Sequence, residues 1–386
     1  MNRAIQILYF LARMFSIPLF NVLTLTIGIH LFGKENWGTY INISIWVFLV
    51  AFLAKWAGQN HIVKEMSQNP SKLYSIFFSN LIERSIILSL TLLLFIFTSW
   101  SVALASTVLV LLIFIYNSLE NLMVYFQKFK LQNVIEIIGF LTLLLGLHSI
   151  KGFKLELVIY AFSLSYFVRI LIAIFVVRLP KTKLQINFGN LYITVPFFLI
   201  GFSGWLSTKI DLYIVSYYFS KGKLADYQLF ISCFLMVQSL SGLALIPFYK
   251  HLYRLPHFVI DKINRNLRLL ALPLVGLATL LIWMVLEKYY SIGYPVLYYL
   301  LAACACLASF FYSVTAFQLY RNNKEKKMAL IGFFTIGIQS LITLLLIQSL
   351  DVLGVLLSIL IVQWLYLFLI NRETKKLNDS VFSNKT

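Results

Sequence analysis

The chain has 386 residues, of which 60% are apolar or aromatic and only 12% charged, with a formal net charge of +18. A soluble domain usually carries about a quarter charged residues, and here the apolar residues come in long runs such as Ile86–Phe97, Val102–Tyr116 and Ile331–Ile347. These features exclude a soluble fold with a large core, and the lack of ten-residue alternation argues against a β-barrel.

A spanning helix needs about 20 apolar residues. Taken in chain order, the runs predict twelve spans: 5–32, 37–63, 73–98, 101–127, 131–149, 155–178, 187–218, 224–249, 265–286, 292–320, 328–349 and 351–371. The first run is interrupted by Arg13 and is followed by no small-residue cleavage site, so it reads as a retained helix rather than a signal peptide. The seventh run is long and contains Pro196. The tail after Asn371 is polar and is expected to be loose.

Charge orients the spans. With the N-terminus in the cytoplasm, the inside segments hold Arg3; Lys64 and Lys72; Lys128 and Lys130; Arg178, Lys181 and Lys183. They continue with Lys250, Arg254, Lys262, Arg265 and Arg268; Arg321, Lys324, Lys326 and Lys327; and Arg372, Lys375, Lys376 and Lys385. The outside loops hold Lys34, Lys151, Lys154, Lys221, Lys223 and Lys288, so the count is 21 inside against six outside. This is a positive-inside pattern with both termini cytoplasmic. The basic excess is therefore a signal of topology and of attraction to anionic lipid, not of nucleic-acid binding. Trp37 and Trp100 fall where an interfacial aromatic belt is expected, and the 34 Phe and 22 Tyr read mainly as lipid-facing bulk.

Two internal echoes divide the chain. Phe32-Gly-Lys-Glu-Asn-Trp-Gly-Thr-Tyr40 matches Phe219-Ser-Lys-Gly-Lys-Leu-Ala-Asp-Tyr227, and Ile138-Gly-Phe-Leu-Thr142 matches Ile331-Gly-Phe-Phe-Thr335. Each joins equivalent helices about half a chain apart. They predict two six-helix lobes in the same orientation, 1–183 and 184–371, with a cytoplasmic tail over 372–386. Parallel repeats of this kind are a transporter architecture with the site between the halves.

Away from the first and last few residues of each predicted span, nine charged residues remain: Arg13, Lys55, Arg84, Arg169 and Lys209, with Glu83, Glu120, Glu136 and Asp211. A charge at mid-bilayer costs about 2.5–3.5 kcal/mol, so such residues face a cavity or a partner. Arg13, Lys55, Arg84 and Arg169 lie at similar depth in the first lobe and could line a cationic vestibule. Alternatively, Glu120 or Glu136 pairs with Arg13, Lys55 or Arg169, or the long side chains snorkel to the interface. Glu83 and Arg84 are adjacent and point about 100° apart; Lys209 and Asp211 would face nearly opposite ways on one helix.

No catalytic or metal constellation emerges. Cys233, Cys304 and Cys306 lie in apolar runs without a CxxC; His30, His61, His148, His251 and His257 sit near helix ends or in a loop; no phosphate-cradling glycine loop or HExxH is present. The chain is expected to be neither an enzyme nor a cofactor-binding protein.

The stretch Leu31-Phe-Gly-Lys-Glu-Asn-Trp-Gly-Thr-Tyr40, with Gly58 and His61-Ile-Val-Lys-Glu65, resembles the N-terminal signature of the O-antigen (Wzx-type) polysaccharide flippases. These belong to the multidrug/oligosaccharidyl-lipid/polysaccharide (MOP) exporter superfamily. Pro196, Thr208-Lys-Ile-Asp-Leu-Tyr-Ile-Val215, Asp226-Tyr227 and Pro247 are similar to that family's seventh and eighth helices. Phe32 departs from the family's usual Leu, and Ala225-Asp226-Tyr227 replaces a Gly-x-Tyr.

The resemblance implies an all-α polytopic protein of two six-helix lobes in a V, alternating between inward- and outward-facing states in the inner (plasma) membrane. It implies transport of an undecaprenyl-diphosphate-linked O-antigen or capsule repeat unit, with a polysaccharide polymerase and other assembly proteins as partners. Basic side chains in a dehydrated cavity suit a diphosphate. Coupling to an ion gradient would use a carboxylate, with Asp211 and Glu120 foremost and Glu83 and Glu136 as further candidates. Two alternatives are a multidrug or cation exporter of the same superfamily, for which a more acidic lobe is expected, and a polytopic polysaccharide polymerase, for which a large outside loop is expected.

Overall fold

The computed structural model describes residues 3–56, 58–177, 179, 188–243, 257–322 and 324–383. Its described residues form helices joined by short turns. The chain falls into two compact units, Met1–Phe198 with Ser220–Ala225, and Leu199–Phe219 with Asp226–Thr386.

The first unit contains α1 (Arg3–Phe32), α2 (Lys34–Lys55), α3 (Gly58–Gln68), α4 (Leu73–Ser85) and α5 (Leu94–Phe97). It continues with α6 (Trp100–Tyr125), α7 (Phe129–Ser149), α8 (Leu155–Val177), α9 (Gly189–Ile193) and the first residues of α10 (Val195–Ser207). Helix α6 is the hub of this unit, packing on α8, α2 and α3, while α7 joins α1 to α8. A core of Ile62, Met66, Phe77, Tyr116, Leu119 and Ile135 is continued by Ile170 and Ala173. Gly33 turns the chain between α1 and α2 with φ +80°, a conformation a β-carbon disfavours.

The second unit contains the rest of α10, α11 (Ile210–Tyr218), most of α12 (Lys221–Leu243), α13 (His257–Tyr290), α14 (Val296–Arg321), α15 (Glu325–Leu350) and α16 (Val352–Ser383). Helix α14 packs on α13 and α16, and α15 packs on α16 and α11. Thr343 and Ser358 hydrogen-bond at 2.6 Å across the α15–α16 pair. Gly354 lets that pair close, since a Cβ there would lie 2.6 Å from the Leu346 carbonyl oxygen. Close approach through small residues is how helices gain packing energy where lipid removes the hydrophobic drive between them.

Among the described residues, ten helices are long and apolar enough to cross a membrane, and an eleventh if the bent pair α10–α11 counts as one span. The chain is a multi-pass membrane protein. Phe175, Phe97 and Trp100 are 80%, 78% and 78% exposed, which is stable because their solvent is lipid. The expected eighth span, 224–249, runs along α12 and then leaves the described residues after position 243.

The structure interrupts three predicted spans. The second breaks at Trp56 into α2 and α3. The third contains a 3-10 stretch, Ile86–Leu93, between α4 and α5. The seventh is cut at Thr194 and again at Thr208-Lys209, where α10 and α11 bend by 45°. The tail beyond Asn371 is also helical as far as Ser383, not loose. Glu373 there pairs with Lys327 at 3.0 Å and with Lys376 at 2.7 Å. The unit boundary differs from the expected one at residue 183, because α9 and the first residues of α10 pack with the first unit.

Candidate functional site

The buried charges of the first unit are organised by pairing. Arg13 on α1 and Glu120 on α6 form an ion pair, and Arg169 on α8 pairs with Glu136 on α7 at 3.1 Å. Glu136 also accepts from the Tyr116 hydroxyl at 2.6 Å. The Arg169 guanidinium lies 4.8 Å from the ring centre of Tyr166 and 5.8 Å from that of Tyr116. Glu136 and Tyr116 lie within Coulombic range of Arg13. Four helices are thus tied by two arginines, two glutamates and two tyrosines. Of the three readings open in the sequence, pairing between helices describes Arg13 and Arg169.

Arg84 is 1% exposed. It donates from Nη1 to the Lys55 carbonyl at 2.9 Å and from Nη2 to Ser118 Oγ at 2.9 Å. Its guanidinium carbon lies 5.3 Å from the centre of the Phe114 ring. Glu83 is buried beside it.

Lys55 is half-buried at the last position of α2. Its ammonium lies within Coulombic range of Arg13 and Arg84. Among the described residues, no carboxylate forms an ion pair with it. The structure thus joins Arg84 to the Lys55 carbonyl, and commits Arg13 to Glu120 and Arg169 to Glu136.

Lys209 and Asp211 belong to the second unit. Lys209 occupies the break before α11, so the helical 100° rule does not relate it to Asp211. Asp211 lies in the first turn of α11, where the unpaired backbone N–H groups favour a carboxylate. It is 3% exposed and accepts a hydrogen bond from the Tyr227 hydroxyl on α12. Beside it is a cavity of about 30 Å³, roughly enough for one or two waters. Ser207, Thr208, Gln238, Gln339 and Gln363 line it together with Asp211. The break follows from Gly201, Ser203, Gly204, Ser207 and Thr208, a run of small and hydroxyl residues that weakens helical continuity. Discontinuous helices that present a polar end within the membrane are a recurring transporter device.

Sequence inspection missed Tyr116, Tyr166 and Ser118, because tyrosine and serine are common in spans; it singled out Tyr227, but not as a partner of Asp211. The three glutamines around the cavity were the readable signal, as amides set in apolar runs.

No protein-family model matches the chain, and no curated protein matches it in sequence. Solved structures do match. The lipid II flippase MurJ in an inward closed conformation has a TM-score of 0.68 at 16% identity, over 94% of this chain and 87% of that one. The eukaryotic MATE transporter AtDTX14 has a TM-score of 0.63 at 12% identity, over 98% of each chain. The MATE multidrug transporter DinF-BH has a TM-score of 0.53 at 13% identity, over 96% of this chain and 94% of that one. At these identities the likeness establishes architecture: this chain has the all-helical membrane fold shared by the MurJ and MATE structures.

Proposed function

We propose that the chain is a flippase of the MOP exporter type. It moves an undecaprenyl-diphosphate-linked oligosaccharide, an O-antigen or capsule repeat unit, from the cytoplasmic to the outer leaflet. The observation that carries this reading is Lys55, a half-buried cation at the end of α2 whose carbonyl is held by Arg84 and which forms no ion pair among the described residues. Removing a charge from water is costly unless an opposite charge arrives, and a lipid-linked diphosphate supplies one. The buried charges of this unit also lean positive, with Arg13, Lys55, Arg84 and Arg169 against Glu83, Glu120 and Glu136.

A cationic drug fits less well. Glu120 and Glu136 are both engaged by arginine, so neither offers an uncommitted anion. Transport, not catalysis, is the activity proposed. Ion coupling falls to Asp211 rather than Glu120, since Asp211 lines a small, mostly apolar cavity that also holds three glutamine amides and two hydroxyl side chains, and Glu120 is paired with Arg13.

The test is complementation of a strain lacking its own O-antigen flippase. Lys55→Gln should abolish surface polysaccharide while membrane levels of the protein hold, and Lys55→Arg should retain it. Full surface polysaccharide with Lys55→Gln would refute the reading.

A further inference from the structure

The second predicted span breaks at Trp56, and the break has a cost. Helix α2 ends at Lys55, Trp56 takes φ +46°, and α3 resumes at Gly58. A helix end leaves its last carbonyls without intrahelical donors, and where they are buried they need a partner from elsewhere. Trp56 N–H satisfies only the Leu53 carbonyl. A tryptophan at positive φ is also a rare conformation that needs outside support.

That support comes from two sides. On one, the Trp56 indole Nε1 donates to Thr194 Oγ1 at 2.9 Å, and its ring stacks on Phe198 with centroids 4.1 Å apart. On the other stands Arg84. Its Nη1 holds the Lys55 carbonyl, its Nη2 holds Ser118, and its Nε points to the Asn80 carbonyl at 3.4 Å. The guanidinium fork is therefore occupied by protein oxygens on three elements. An arginine used this way is poorly placed to offer the same fork to a ligand.

We propose that Arg84 is a positioning residue: it is the tethered cap of the broken α2 and holds the helix end that carries Lys55 in place. The anion is met by Lys55, and Arg84 acts through it. Without the cap, the Lys55 carbonyl regains a donor most simply by continuing the helix, which joins α2 to α3 and frees the end of α2, with Lys55, from Arg84. This rests on the reading of Lys55 as the anion contact, and the experiment separates the two.

The experiment uses the full chain in lipid nanodiscs, with its three cysteines replaced by serine and spin labels at Trp46→Cys and Ser67→Cys. Label distance reports the break, and binding of geranylgeranyl diphosphate, as a probe, reports the anion site. Arg84→Leu should lengthen the label distance toward the roughly 31 Å of a continuous helix and weaken diphosphate binding about tenfold. Arg84→Lys keeps one donor for the Lys55 carbonyl and should preserve both readouts. Lys55→Gln should keep the distance and weaken binding.

An unchanged distance with weakened binding in Arg84→Leu overturns the proposal, because Arg84 would then touch the anion directly. A lengthened distance with unchanged binding overturns it too, because the place of Lys55 would not matter. Should Arg84→Leu fail to accumulate, Arg84→Lys carries the test: kept distance with lost binding speaks for direct contact and against positioning. Unchanged binding in Lys55→Gln sinks the anion reading itself, whereas the cap is judged by the distances alone.

Discussion

Arg169 on α8 meets Glu136 on α7 at 3.1 Å across a notch made by Gly139. Glu136 and Gly139 are three residues apart and share a helix face. A Cβ at 139 would collide with the Arg169 side chain, and the Gly139 carbonyl accepts from Ser165 Oγ at 2.6 Å. The glycine is thus part of the ion pair: it lets the arginine pass close to the backbone of α7.

Breaking this pair on one side leaves a buried charge alone, which costs about 3–5 kcal/mol. Arg169→Leu should therefore lower thermal stability in detergent strongly. Replacing both partners, Arg169→Leu with Glu136→Leu, should recover much of the loss. A double variant no more stable than Arg169→Leu would show that Tyr116 and Tyr166, not the ion pair, hold these helices.

Gly38 on α2 faces the backbone of Lys221, and Gly222 faces Glu35, so the starts of α2 and α12 meet. These are the two segments of the internal echo. A Cβ at 38 would collide with the Lys221 carbonyl, and backbone cannot swing aside as a flexible side chain can. Gly38→Ala should destabilise the protein by about 1–3 kcal/mol, read as a lower melting temperature. An alanine variant as stable as the parent would mean that the two helix starts are not packed this closely.

Asp211→Asn removes the carboxylate but keeps an acceptor for the Tyr227 hydroxyl. The expected outcome is a protein that folds and binds substrate but no longer responds to an imposed ion gradient in proteoliposomes. Gradient-driven transport at the parent's rate would remove Asp211 from the coupling role.

Topology follows from the positive-inside count and is open to direct measurement. Reporter fusions after Lys72, Lys183 and Lys327 should report cytoplasm, and fusions at Lys151 and Lys221 the outside. An outside signal after Lys327 would overturn the proposed orientation of the last two spans.

Sequence alone determined where the apolar runs lie and which charges interrupt them. Membrane insertion is governed by hydropathy summed along a segment, and that sum is local. The runs over 101–127, 131–149 and 155–178 accordingly became α6, α7 and α8 with little change. Tertiary structure decided where spans break and which charges are used up. Trp56 and Thr208 look like ordinary span residues in sequence, since a break is stable only when a donor from elsewhere in the fold reaches it, as Arg84 reaches Lys55. Likewise Arg13 and Glu120 lie 107 positions apart and pair only because α1 and α6 are brought together. Hydropathy records the cost of burying each charge, whereas the compensation comes from a different helix and is set by packing.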